Sequence, residues 1–176
     1  MIVEIETSGV TPTRMTDGSD LCTTCGLCCD GTLFDTVPLT EAEAAAFAPA
    51  PGQAGSNRAA QPCRFLQGTC CGIYNDRFKA CRRFRCELLK KLDAGGISLG
   101  EASALVVEAK RWRGEALAED GDASLGFRRR LMRRPELDQH RDARSAAEGL
   151  KLAACRRFLM KHFVPRSRAK GWGWEA

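Results

Sequence analysis

Two groups of cysteines are the residues best placed to do chemistry in this chain. The first is Cys22-Thr23-Thr24-Cys25-Gly26-Leu27-Cys28-Cys29. Two-residue gaps let a tight turn aim successive sulfurs at one ion, and Gly26 frees the backbone so that its amides can face them. Cys22, Cys25 and Cys28 also share the spacing of the first three ligands of a ferredoxin run. The fourth ligand of that run is missing, and Cys29 follows at once without the usual spacer and proline. Cys28 and Cys29 are adjacent, so their side chains diverge. The simpler arrangements give one to each of two sites, or leave one as a supporting or redox thiol.

The second group is Cys63-Arg64-Phe65-Leu66, then Cys70-Cys71-Gly72-Ile73-Tyr74, then Cys81-Arg82-Arg83-Phe84-Arg85-Cys86. The cysteines at 22, 25, 28, 29, 63, 71, 81 and 86 divide into two sets of four. Tetrahedral zinc takes four thiolates and so does a cubane iron–sulfur cluster, so spacing leaves Zn2+, iron as an Fe–S cluster, and a bridged multinuclear site open. Arg64, Arg77, Arg82, Arg83 and Arg85 lie among these thiols. Guanidinium groups can offset thiolate charge or donate to sulfur, or form a solvated basic surface.

The pattern CxxCGxCC, followed by CxxL, CxIY and CRxFxC, resembles the bacterial cysteine-cluster family called YkgJ-like, a zinc- or iron-chelating domain. The resemblance runs from Cys22 to Cys86, 65 of 176 residues. It implies that Cys22, Cys25, Cys28, Cys29, Cys63, Cys71, Cys81 and Cys86 are the metal ligands. Arg77-Phe78 stands where that family has Arg-Pro, so no proline sets the turn before Cys81. Cys70 and Cys155 fall outside the pattern.

The elements that must hold these residues are mostly helical. The expected architecture is a small, mostly α fold, in which a metal-nucleated, cysteine-rich loop and helix region packs with C-terminal helices. Three regions are expected: an N-terminal lead over 1–20 with a short edge strand at its start, a cysteine-cluster region over 21–92, and a helical region over 93–176. Thr40-Glu41-Ala42-Glu43 predicts a capping box and a short helix over about 41–48. The Ala/Pro/Gly-rich stretch 48–60 predicts a loop. Ser98 and Glu101 repeat the capping signal, and the helix after them places Leu105, Val106, Ala109 and Trp112 on one face until Glu119-Asp120-Gly121-Asp122 breaks it. Pro135 suits a first helical turn, and a long helix over roughly 136–163 is expected, with Ala143, Ala146, Ala147, Leu150, Ala154 and Phe158 as its apolar stripe and Pro165 as its stop. Cys155, beside Ala154, reads as a small buried apolar residue.

Composition narrows the function classes. No apolar run is long enough to span a bilayer. Met1-Ile2-Val3-Glu4-Ile5-Glu6 has no basic n-region, so a signal peptide is not expected and the cytoplasm is the default address. In a reducing compartment, clustered cysteines bind metal or do redox chemistry more often than they form disulfides. Residues 1–60 hold 2 Lys/Arg against 8 Asp/Glu, and residues 61–176 hold 25 against 14. Two four-thiolate sites around divalent ions would lower the formal +5 to +1, which weakens the case for a nucleic-acid partner. The leading expectation is a metal-binding protein whose partner is the metal ion, with no membrane association. An iron–sulfur oxidoreductase or electron carrier is the alternative. A basic nucleic-acid module built on Arg128-Arg129-Arg130 and Arg133-Arg134 is disfavoured by little aromatic interleaving and no recognised fold signature. His140 and His162, the two histidines, stand 22 positions apart, and no P-loop, dinucleotide fingerprint or nucleophile elbow is present, so no catalytic residue is assigned.

Overall fold

A computed structural model describes residues 17–47, 57–118, 126–132 and 143–168. Most of the N-terminal lead, most of the expected loop, the breaker at 119–122, Arg133, Arg134, Pro135 and the expected start of the long helix, with His140, lie outside the described residues.

Local signals account for much of the helical structure. Helix α1, Asp17–Cys25, carries Cys22 and Cys25. It stops at Gly26, whose φ of +73° is the left-handed conformation that ends helices and that glycine adopts without penalty. The amides of Cys29 and Asp30 then turn back to the Gly26 carbonyl at 2.8 and 3.0 Å. Helix α2, Glu41–Ala46, opens on the expected capping box: Thr40 Oγ1 accepts from the Glu43 amide, and the Glu43 carboxylate accepts from the Thr40 amide. Helices α3, Lys79–Arg83, and α4, Glu87–Asp93, flank the stretch that ends in Cys86. Helix α5, Leu99–Ala118, begins with the same reciprocal bonding between Ser98 and Glu101. Helices α6, Phe127–Met132, and α7, Ala143–His162, complete the helical set among the described residues. The fold is mostly α, as expected.

The strands are short antiparallel pairs. β1, Thr36–Pro38, pairs with β2, Arg58–Ala60, in the register Val37↔Ala59. β3, Leu66–Gln67, pairs with β4, Cys70–Cys71. Residues 58–60 therefore depart from the loop expected over 48–60. Alanine has weak strand preference, but Val37 offers an edge to pair with, and Ala59 is small enough to bury beneath it.

The buried residues form two clusters. The larger joins Leu21, Leu27, Leu33 and Phe34 to Leu88 and Leu92 of α4, Val106 and Ala109 of α5, Leu131 of α6, Leu159 of α7, and Phe163 just past it. The smaller holds Val37, Leu39, Phe47, Ala59 and Phe78, with Phe65 and Ile73 packed against it. On α5 the expected face holds: Val106 and Ala109 are buried, and Leu105 and Trp112 pack beside them. On α7 the expected stripe is kept only in part: Phe158 packs against the large core, but Ala147 is exposed and Leu150 is 73% exposed, while Cys155 and Leu159, off that stripe, are buried, as is Phe163 just past the helix. Apolar residues occur on more than one side of this helix, so periodicity alone does not choose a face, and packing against α5 and α6 does. The basic run on α6 is only partly solvated: Arg129 is exposed, but Arg130 is buried, and Arg128 Nη1 lies 2.6 Å from the Asp35 carboxylate.

Candidate metal centre

Each cysteine of the pattern is delivered by a different local device. Cys22 and Cys25 sit one turn apart on α1. Cys28 and Cys29 follow in the turn that Gly26 permits. An added Cβ on Gly26 would lie 3.2 Å from the Thr69 carbonyl oxygen, so this turn is also pressed against the segment leading to Cys71. Cys63 is tied to the first group through its own amide, which donates to the Cys29 carbonyl at 2.7 Å. Cys71 ends β4. Cys81 lies on α3, whose start is held by the Glu43 carboxylate accepting from the Lys79 amide at 2.6 Å. Phe78, at the N-cap of α3, makes no side-chain cap. Its ring is buried edge-on to Phe47 with centroids 5.3 Å apart, and this anchors the turn that no proline sets. Cys86 caps α4, its sulfur accepting from the Leu89 amide at 3.3 Å.

These devices bring Cys22, Cys25, Cys28, Cys29, Cys63, Cys71, Cys81 and Cys86 to the wall of one cavity of about 190 Å³. Cys70 and Cys155 are not in that wall. Cys70 is exposed and its thiol donates to the Thr23 carbonyl, whereas Cys155 is fully buried in the large core. All ten cysteines are free thiols.

Burial governs the thiols. It pushes Cys25, Cys29 and Cys81 up to about 12 and Cys86 up to about 11, from an ordinary 9.0. Burial raises Cys28 well above 9.0, and neighbouring thiols add to the effect. Burial also raises Cys22, against the opposing guanidinium groups of Arg77 and Arg85, and raises Cys63, against the opposing amide of Phe65. Amide donors point at several of these sulfurs: Leu27 at Cys25, Phe65 and Leu66 at Cys63, Leu88 and Leu89 at Cys86. Such N–H···S bonds stabilise a thiolate once a cation makes it worth forming.

The donor chemistry fits a soft or borderline metal. The wall offers thiol sulfur throughout, and its one carboxylate, Asp93, is salt-bridged to Arg85. Two buried polar atoms of wall residues, Gln61 Oε1 and Arg77 Nε, have no hydrogen-bond partner among the described residues. Among the described residues, no group of three or more His, Cys, Asp or Glu side chains stands in a coordinating geometry. A cysteine reaches different positions through its χ1 rotamers, so closing on an ion needs side-chain rotation first.

Residues 21–100 match a family of known sequence pattern, CxxCxxCC, described as a putative zinc- or iron-chelating domain. The match covers 80 of the 176 residues. No curated protein and no solved structure matches the chain. Within and beside the matched segment, the motifs gave no sign of most of the supports around the thiols. Glu43 bonds to both α2 and α3. Lys110 of α5 donates to the Thr24 carbonyl at 2.7 Å, beside Cys25. Only the capping box hinted at the first, and no local signal marked the second. Of the five arginines named from sequence, Arg77 and Arg85 act on Cys22, Arg77 acts also on Cys81, and Arg64 acts on Cys63 while lying over the Phe47 ring. Arg82 lines the cavity, and Arg83 is exposed. Among the described residues no helix is long and apolar enough to cross a membrane.

Proposed function

We propose that this chain is a metal-binding protein that chelates zinc or iron through the thiolates of Cys22, Cys25, Cys28, Cys29, Cys63, Cys71, Cys81 and Cys86. The observation that carries the reading is the selection among the ten cysteines: the eight of the pattern wall one cavity, and Cys70 and Cys155 do not. The metal supplies a positive charge that stabilises the thiolates. The protein supplies sulfurs, amide donors to those sulfurs, and the Arg77 and Arg85 charges beside Cys22. Binding must displace thiol protons, because burial holds these groups protonated without a cation. Ten free thiols suit a reducing compartment, and we assign the protein to the cytoplasm.

An iron–sulfur electron carrier remains the second reading, since amide donors to cysteine sulfur also serve such clusters. Anaerobic purification followed by metal and acid-labile sulfide analysis tests both. Zinc without sulfide or visible absorbance establishes the first metal. Iron with sulfide and visible thiolate-to-iron bands establishes the second. A chain that takes up neither metal overturns the proposal.

A further inference from the structure

The eight thiols are held by two different parts of the fold. Cys22, Cys25, Cys28 and Cys86 pack against the large core. They come from α1, its C-terminal turn and the start of α4, and α1 and α4 are in contact. Cys81 packs against the small core, beside Phe65 and Ile73. Phe65 and Ile73 each lie two residues from another thiol, Cys63 and Cys71. The β3–β4 pair sets Cys71 opposite Leu66, whose amide donates to the Cys63 carbonyl at 2.9 Å. Cys29 joins this side through the Cys63 amide.

Cys28 and Cys29, adjacent in the chain, are the junction between the two sets.

We propose that the eight thiols form two separate four-sulfur centres, Cys22/Cys25/Cys28/Cys86 on the large core and Cys29/Cys63/Cys71/Cys81 on the small core, joined through the Cys28–Cys29 peptide bond. The proposal rests on the chelation reading and specifies what that reading leaves open, the grouping of the ligands. Four sulfurs complete a tetrahedral thiolate site, so each set is sufficient by itself.

The test uses the full chain and 113Cd2+ as a probe for thiolate sites. The metal-free, reduced protein is titrated with cadmium and followed by the sulfur-to-cadmium ultraviolet band and by 113Cd NMR. The expected result is about two equivalents bound, one per four thiolates, with two resonances that show no cadmium–cadmium coupling. Cys86→Ser removes one resonance and about half of the tightly bound metal, and Cys63→Ser removes the other. A single equivalent, coupled resonances from a bridged cluster, or the loss of all metal in both variants overturns the two-centre grouping while leaving chelation in place. No cadmium uptake by the unsubstituted protein overturns chelation itself, and the grouping with it. The wild-type spectrum decides between separate and bridged centres even if a variant fails to fold.

Discussion

Gly26 shows how narrowly the thiol cluster is built. Its positive φ and the Thr69 carbonyl 3.2 Å from where a Cβ would sit act together. Gly26→Ala should therefore destabilise the chain by at least about 1–2 kcal/mol, the strain of a left-handed alanine alone. Urea unfolding of the two proteins checks this, and an unchanged midpoint would remove the turn from the account of the site. The cysteines separate by the same logic. Cys25→Ser should lose metal, because a hydroxyl is a poor substitute for a thiolate between two other wall sulfurs. Cys70→Ser and Cys155→Ala should keep full metal content. Cys155→Ala should lower stability by only about 1 kcal/mol, since it deletes one small buried group. Metal per chain, measured on the purified variants, separates these outcomes. Retention by the Cys25 variant would count against the ligand set.

Short helices carry Cys22, Cys25 and Cys81, Cys86 caps another, and the ends of these helices are where they are vulnerable. The Glu43 carboxylate accepts from the Thr40 amide at the start of α2 and from the Lys79 amide at the start of α3, two residues before Cys81. Its partial burial pushes its pKa up, but these amide bonds outweigh burial, and the net shift is below the ordinary 4.5. The folded state therefore binds this proton more weakly than the unfolded chain does. The stabilisation is present above pH 4.5 and is lost as pH falls through the lower, folded value. In the metal-free protein, acid unfolding curves of wild type and Glu43→Gln should differ above that range and converge below it. Parallel curves at all pH values would contradict the assignment. Thr40→Ala removes the hydroxyl half of the cap and should cost about 1 kcal/mol in urea unfolding.

Across the whole molecule, the two cores differ in size and in what else supports them. The large core draws on α1, α4, α5, α6 and α7, so it keeps apolar burial when metal is withdrawn. The small core has five buried residues and two short strand pairs around it. Small clusters bury little apolar surface and depend more on metal crosslinks. Hydrogen exchange with and without chelator should therefore show the largest loss of protection over residues 57–83 and the smallest over α5 and the described part of α7. Equal loss in both regions would show that the metal supports the fold as one unit.

Spacing and residue type were enough, by themselves, to mark the two cysteine groups, with the family resemblance selecting eight of their members, and to mark the helix caps at Thr40 and Ser98, the mostly helical class and the apolar face of α5. These are local properties: a cap is written within four residues, and a thiol cluster within a few turns of chain. The exposure of Leu150 on α7, the pairing of Ala59 with Val37, the burial of Arg130 and the reach of Glu43 to Lys79 depended on partners 22 or more positions away or on other helices. So did the placing of Cys86 and Cys63 in the same cavity wall as Cys22 and Cys29. A segment with apolar residues on several sides has no preferred face until another element covers one. Two thiols distant in sequence become neighbours only when the cores behind them pack.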